Sequence, residues 1–416
     1  MKKALIISCY FPPQGGGGVQ RTAKFVKYLP TYGWKPIVLT SKKQIIPVLD
    51  QTLLEDIPSD THIIRTRTLQ PRIPKKRNMI HHLIYVISIP DFSIWWIPFA
   101  VFEGFKQIKK EKINVIYVTG DPFSSYFIGC ILKFFTGKPL IIDFRDAWIL
   151  DPRRHVRTLM KWRDQIEKLM FKICVKHSEK VVLATPSMKK DFQKYFGSIK
   201  HPEKFITITN GFDTEDMEKI ENVKKEKNYF NLVYTGSLQS VSRNPSYLFK
   251  ALCLLKTDNP EIYNKIRLYL VGNIDEKYKQ LVYKYGIKDC VKLEGYVSHN
   301  KSLGYLKMAD SLVFIMESQN NVRQITSGKI FEYIAFKKPI LALANQDSDA
   351  SDIIKEIGSG IFANPIDEKD ILAKLLYLYN LWEKNVEMTQ LSLENISKYR
   401  REGLTKKLAD LFEKTV

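Results

Sequence analysis

The chain has 416 residues, 44% hydrophobic and 12% aromatic, which is too long for one core and predicts two domains of about 200 residues each. Five dispersed cysteines without a Cys-x-x-Cys pair exclude a disulfide framework and a structural zinc, and point to a reducing compartment. The net charge of +21 is lopsided, with 35 Lys+Arg against 16 Asp+Glu in residues 1–212 and 30 against 28 in the remainder, which argues against a uniform halo for nucleic acid and for one basic half that meets an anionic partner such as lipid headgroups or a lipid diphosphate.

In chain order, apolar runs at 4–8, 36–40, 115–119, 140–143 and 180–184 read as buried strands, separated by helical periodicity at 20–32 and 161–176. The apolar start runs into Phe11-Pro12-Pro13-Gln14 and glycines in place of a signal cleavage region. Gly15-Gly16-Gly17-Gly18 lies between the first strand and the first helix, where backbone N–H groups approach a phosphate unobstructed. A dinucleotide site would need an acidic residue after the second strand, and Thr40-Ser41-Lys42-Lys43 supplies none; no Gly-Lys-Ser/Thr follows for a Walker-type NTPase. Arg21 reads as a helix-surface charge. Residues 83–102 are apolar but broken by Pro90, Asp91 and Pro98, short of a membrane span. Ile94, Trp95, Trp96, Ile97 and Phe99 after the basic cluster Arg72, Lys75, Lys76 and Arg77 fit either an interfacial element or core packing. Two strand ends carry polar groups: Thr119-Gly120-Asp121, and Asp143-Phe144-Arg145-Asp146, where Arg145 and Asp146 either contact a sugar or tie loop to sheet as an ion pair.

A second series of strands, at 231–235, 268–271, 291–293, 311–315 and 339–343, follows a boundary placed after Asn210-Gly211-Phe212. Two tandem doubly wound α/β sheets, at 1–212 and 213–390, are the simplest fold, with 391–416 as a final helix. Ser327-Gly328-Lys329-Ile330-Phe331-Glu332 opens a helix on small residues, so that its leading N–H groups and Lys329 hold an anion while Glu332, from the same end, accepts from ribose hydroxyls; the alternative is an ordinary capped helix. Asp347-Ser348-Asp349 precedes a helix and reads as its cap at Ser348 or Asp349, not as a metal motif.

The 327–343 segment, the Asn210-Gly211-Phe212-Asp213 junction and the order of elements resemble the retaining glycosyltransferases of the GT-B fold, of the family 4 and group 1 type. That resemblance implies two Rossmann-like domains with an interdomain cleft, a last helix that crosses back to the first domain, and a nucleoside-diphosphate sugar as donor, with no metal and no cofactor. The family pattern has two glutamates; Glu332 matches the second, while Gln324 stands at the first, and Glu317 is at the wrong spacing to replace it. Gln324 bonds a sugar hydroxyl without the charge that steadies a developing cation. The donor site implied comprises Gly16 and Gly17 from the first domain, and Gly236, Ser237, Arg243, Gly272, Tyr296, Gln324, Ser327, Gly328, Lys329 and Glu332 from the second. Arg243 and Lys329 neutralise the departing diphosphate, Tyr296 borders the base, and Asp146 with Asp121 completes the catalytic group, Asp121 standing where many relatives carry a histidine. The resemblance further implies a glycan or lipid-linked acceptor; the charge asymmetry and the dispersed cysteines add an anionic membrane surface met by the basic domain and a cytoplasmic location at the inner membrane face, with no nucleic-acid partner. A nucleotide-sugar epimerase of the same fold and a non-catalytic nucleotide-sugar or nucleic-acid binding protein are the rival readings.

Overall fold

The computed structural model describes residues 1–42, 49–71, 79–152, 154, 160–197, 202–238, 243–316, 323–324, 326–386 and 391–416; Lys43, the basic cluster at 72–77 and Glu317 lie outside them. The chain divides into two units, Met1–Asn210 with Arg401–Val416, and Gly211–Arg400. Among the described residues no helix is long and apolar enough to cross a membrane.

The first unit is built on a seven-stranded sheet of β1 (Lys2–Ser8), β2 (Trp34–Ser41), β3 (His62–Thr66), β4 (Val115–Gly120), β5 (Leu140–Phe144), β6 (Lys180–Leu183) and β7 (Phe205–Thr207). Every pairing is parallel and the order is β3-β2-β1-β4-β5-β6-β7. Parallel strands covered on both faces need no polar alternation, which is why they read as continuous apolar runs. Leu5 and Ile7 point into one core, Ala4 and Ile6 into the other, as the two-residue side-chain period requires. The second core is completed by Leu404, Leu408 and Phe412 of the Arg401–Thr415 helix, with the Trp34 and Phe412 rings meeting edge to face at 5.1 Å.

The second unit repeats the plan with β8 (Phe230–Thr235), β9 (Ile266–Val271), β10 (Val291–Gly295), β11 (Ser311–Ile315), β12 (Ile340–Leu343) and β13 (Gly360–Ala363), all parallel, in the order β10-β9-β8-β11-β12-β13. The chain winds outward from β8 to β10 and returns at β11. The crevice outside the carboxyl ends of β8 and β11 is therefore the topological switch point, where such sheets bind ligands.

Three departures from the sequence reading have physical causes. β3, β7 and β13 escape it because they are short, stand at or next to sheet edges and are only partly buried. The first helix runs Gly17–Tyr28 and tightens into a 3₁₀ turn at Leu29–Tyr32 around Pro30. The helix expected over 391–416 is two, Leu393–Ser397 and Arg401–Thr415, because the carbonyl of Tyr399 is taken at 3.1 Å by the N–H of Phe212 and residue 400 pairs with residue 212 as an isolated bridge.

Candidate active site

In the second unit three successive strand ends turn on glycines with positive φ: Gly236 at 114°, Gly272 at 132° and Gly295 at 69°. Such backbone is cheap only for glycine. At Gly236 the missing side chain also has a use, since a Cβ there would lie 1.5 Å from the Nζ of Lys329. The Lys329 ammonium thus occupies the notch that residue 236 leaves open, beyond the end of β8. Gly272 supports this notch from below, because a Cβ on it would meet the Gly236 carbonyl oxygen at 2.4 Å.

Lys329 reaches the notch because its helix, Lys329–Ala335, is locked in register. Ile330, Phe331 and Ile334 are buried in the core beneath it, and the Tyr333 hydroxyl accepts the Thr235 N–H at 2.9 Å. The ammonium donates to the Tyr234 hydroxyl at 3.4 Å and stands 4.8 Å from that ring's centre. Burial, reinforced by the Arg243 guanidinium and opposed by Glu332, pushes Lys329 down to about 7. Arg243 lies beside the Tyr234 phenol as well. Among the described residues neither Lys329 nor Arg243 forms an ion pair. Glu332 offsets only part of the repulsion: two neighbouring cations raise each other's energy, and an anion that joins them relieves it.

The helix start offers an anion less than the sequence reading expects. The helix has seven residues, Gly328 caps it without a side-chain bond, and the N–H groups of Ile330 and Phe331 are already turned to the Ser327 and Gly328 carbonyls at 3.2 Å. Ser327 and Gly328 line its approach, half-buried and exposed respectively, while Gln324 is buried. Positive charge at this end therefore lies in the side chains of Lys329 and Arg243 more than in the helix dipole.

Glu332 accepts from, or is charge-paired with, the Nε2 of His299 at 3.0 Å, and both side chains are largely buried. His299 opens a helix, His299–Met308, capped by Ser298. It follows Tyr296, whose ring is exposed, so the loop after β10 and the Lys329 helix are pinned to one another at Glu332. Sequence reasoning missed His299; its one signal is an imidazole in the first turn after a strand-end glycine. Ser237 stands after Gly236, its carbonyl accepting from Tyr234 at 3.2 Å. At 347–349 the capping reading holds: Ser348 accepts from the Ser351 N–H at 3.1 Å, and Asp347 pairs with Arg323 at 2.8 Å.

Residues 15–216 match the model of Glycosyltransferase Family 4, and residues 214–392 that of Glycosyl transferases group 1. The chain belongs to the GT-B glycosyltransferases. No curated protein matches it in sequence. Among solved structures, this glycosyltransferase is similar to HepE of Anabaena in complex with UDP and glucose (16% identity, 99% of this chain and 100% of that one, TM-score 0.66). WaaG, a glycosyltransferase involved in lipopolysaccharide biosynthesis, is similar at 14% identity (98% and 99% covered, TM-score 0.62). So is a putative UDP-N-acetylglucosamine 2-epimerase of Listeria monocytogenes, at 14% identity (100% and 98% covered, TM-score 0.60). At these identities the likeness speaks for the fold, and the two family matches speak for glycosyl transfer.

The first unit of the glycosyltransferase gathers its predicted residues at the carboxyl ends of β1, β4 and β5. Gly16, with φ 102°, caps the Gly17–Tyr28 helix. Arg145 joins the loops, donating to the carbonyls of Gly18 and Gly120 and, at 2.8 Å, of Asp121. Arg145 thus ties loops together through backbone carbonyls, and among the described residues no ion pair between Arg145 and Asp146 is seen. Asp146 is exposed at the same rim. Burial among these loops, with Asp91 and Asp146 nearby and Arg145 opposing, pushes the Asp121 carboxyl up to about 6. Trp96 sits in the core, its indole donating to Thr66 at 2.7 Å, and Trp95 donates to Ser88 at 3.0 Å, while Ile94, Trp95, Ile97 and Phe99 are partly buried.

Arg21 is a correction. It is fully buried, bonding both Asp143 oxygens at 2.8 and 2.9 Å and the carbonyls of Ile208 and Thr209 at 2.8 Å. Tyr117 and Thr119 donate to the same carboxylate at 2.6 and 3.0 Å. Burial works to raise the Asp143 carboxyl, yet Arg21 and Tyr117 together hold it below the usual carboxylate range. The sequence signal was an Asp closing an otherwise apolar strand, which needs a cation from somewhere.

Proposed function

We propose that this glycosyltransferase moves a hexose from a nucleoside-diphosphate sugar to a lipid-linked or surface-polysaccharide acceptor, with retention of configuration and without a metal. The observation that carries the reading is Lys329 seated in the Gly236 notch beside Arg243, neither of them in an ion pair among the described residues. A leaving diphosphate gains negative charge as the sugar bond breaks, and Arg243 with Lys329, protonated when the diphosphate is bound, stabilises that charge from fixed positions. Metal-free action follows from the same pair, which supplies the charge a divalent ion would otherwise bring. Glu332, oriented by His299, takes the ribose hydroxyls, and Tyr296 borders the base. UDP is the first donor nucleotide to test, since HepE is known with UDP and glucose. Retention follows the family resemblance: the acceptor hydroxyl attacks on the face the diphosphate leaves, and the leaving phosphate takes its proton. Asp121 and Asp146 serve the acceptor from the basic unit, which also recruits the enzyme to the anionic inner face of the membrane.

A thermal-shift and calorimetric screen of UDP-, GDP-, ADP- and dTDP-sugars in EDTA tests this. Protection by one donor, lost in Arg243→Ala and Glu332→Ala, supports the reading. Conversion of a nucleotide sugar to its epimer without an acceptor would replace it with the epimerase reading. An equal response to DNA or RNA, with no donor effect, would replace it with a binding protein.

A further inference from the structure

The helix Lys161–His177 carries a solvent-facing apolar stripe that its fold does not use. Trp162, Ile166, Leu169 and Ile173 recur at the spacing of one helix face, and all are exposed, Trp162 at 48% and Leu169 at 59%. The opposite face buries Phe171, Cys174 and Val175. A second exposed stripe lies beside its start: Met79, Leu83 and Ile87, four residues apart on the Met79–Ile87 helix, with Met79 at 85%. Arg163 fastens the two helices, donating to the carbonyls of Tyr85, Ser88 (2.9 Å) and Pro90 (2.8 Å) with its guanidinium over the Tyr85 ring. This apolar surface belongs neither to the donor notch nor to the Asp121 rim.

The charges around the stripe are sorted by sign. Both acidic residues of the helix, Asp164 and Glu167, are turned inward and neutralised by Arg154, Arg163 and Lys168. Lys161, Lys172 and Lys176 stay exposed and form no ion pair among the described residues. On a helical projection these lysines flank the apolar stripe on one side. An apolar strip bordered by lysine, with its acids withdrawn, is what an anionic lipid surface selects: the apolar side chains enter the acyl boundary and the ammonium groups meet the headgroups. A two-fold contact with a second copy would bring the lysine borders of a strongly basic unit against each other.

We infer that the paired stripes of the Lys161–His177 and Met79–Ile87 helices form a docking face for an anionic lipid bilayer. The inference deepens the proposed membrane recruitment by assigning it a surface, and moves it away from the aromatic segment at 94–99. The full chain is floated with vesicles of phosphatidylcholine alone or with phosphatidylglycerol. Wild type is expected to float with the anionic vesicles only, less so at high salt. Trp162→Ser/Ile166→Ser/Leu169→Ser is expected to partition roughly a hundredfold more weakly, with donor protection and Tm unchanged. Lys161→Gln/Lys172→Gln/Lys176→Gln is expected to lose about tenfold and most of the salt dependence. Brominated lipid should quench tryptophan emission in wild type and less in Trp162→Phe. If wild type floats and the apolar triple variant floats equally well, this face is wrong while recruitment stands. Failure of wild type to float removes both, leaving donor binding untouched. A dimer seen by sedimentation that the triple variant dissolves would assign the face to a second copy and overturn the inference.

Discussion

The two units share one winding order and treat a basic residue turned into the fold in opposite ways, Arg21 fully buried and Lys329 half-buried. In the first, Arg21 enters the sheet beside β5 and meets Asp143 with two hydrogen bonds, while two carbonyls occupy its other N–H groups. In the second, Lys329 reaches the switch point through the gap at Gly236 and meets a phenol and another cation, with Glu332 acting on it but not ion-paired to it. A buried charge whose partners are complete belongs to the fold; one kept beside a like charge and out of any ion pair is, on the proposed reading, held for the donor diphosphate. The contrast separates structural from functional basic residues, which net charge alone does not.

The largest expected effect tests the compensated side. Arg21→Met leaves Asp143 charged and buried, and should lower unfolding free energy by about 3–5 kcal/mol, read by urea or thermal denaturation. Activity should fall only as folded protein is lost. If stability is unchanged, the pair is not what ties the helix to the sheet.

Lys329→Ala sharpens the other side. Donor affinity should fall by about a hundredfold in calorimetry, by loss of a charge-assisted phosphate contact, while Tm of the free protein holds or rises because a crowded cation is gone. A drop in Tm as large as that of Arg21→Met would erase the distinction between the two units.

The pH dependence follows from the direction of the Lys329 shift. Its folded value is depressed to about 7, so above that pH the free protein is mostly neutral there and the bound diphosphate must draw a proton in. Donor affinity should be flat below about pH 7 and weaken as pH rises, by up to about tenfold per unit. Lys329→Arg, charged throughout, should remove that slope. Stability of the free protein runs the other way: the unfolded chain binds the extra proton between about 7 and the ordinary lysine value, so this group adds stability as pH rises through that window.

The smallest effect is expected at His299. His299→Ala should raise donor KM about tenfold by freeing Glu332, with kcat nearly unchanged. His299→Asn or His299→Gln should restore part of it, and the loss should vanish in a Glu332→Ala background.

Much of the fold is legible in the residues because continuous apolar runs such as 4–8 and 311–315 have only one economical home, a parallel sheet covered on both faces. The edge strands His62–Thr66 and Gly360–Ala363 are half-exposed and carry no such run. Of the candidate site, Lys329, Glu332 and Arg243 stand out by residue type and order, and Gly236 by its place after a strand. What spacing along the chain cannot express is which side chain fills which gap. Arg21 and Asp143 are 122 residues apart, and His299 and Glu332 are 33.

The sequence by itself determined two doubly wound sheets, a family and a short roster of charged residues, because local periodicity and strand-end chemistry are written in consecutive residues. Tertiary structure alone decided that Arg21 is spent inside the fold, that Lys329 lies in the space a missing Cβ leaves, and that the stripe from Trp162 to Ile173 faces outward. The physical reason is that burial and charge pairing are properties of the space between elements, and a buried cation's energy depends on which opposite charge the packing brings within a few ångströms.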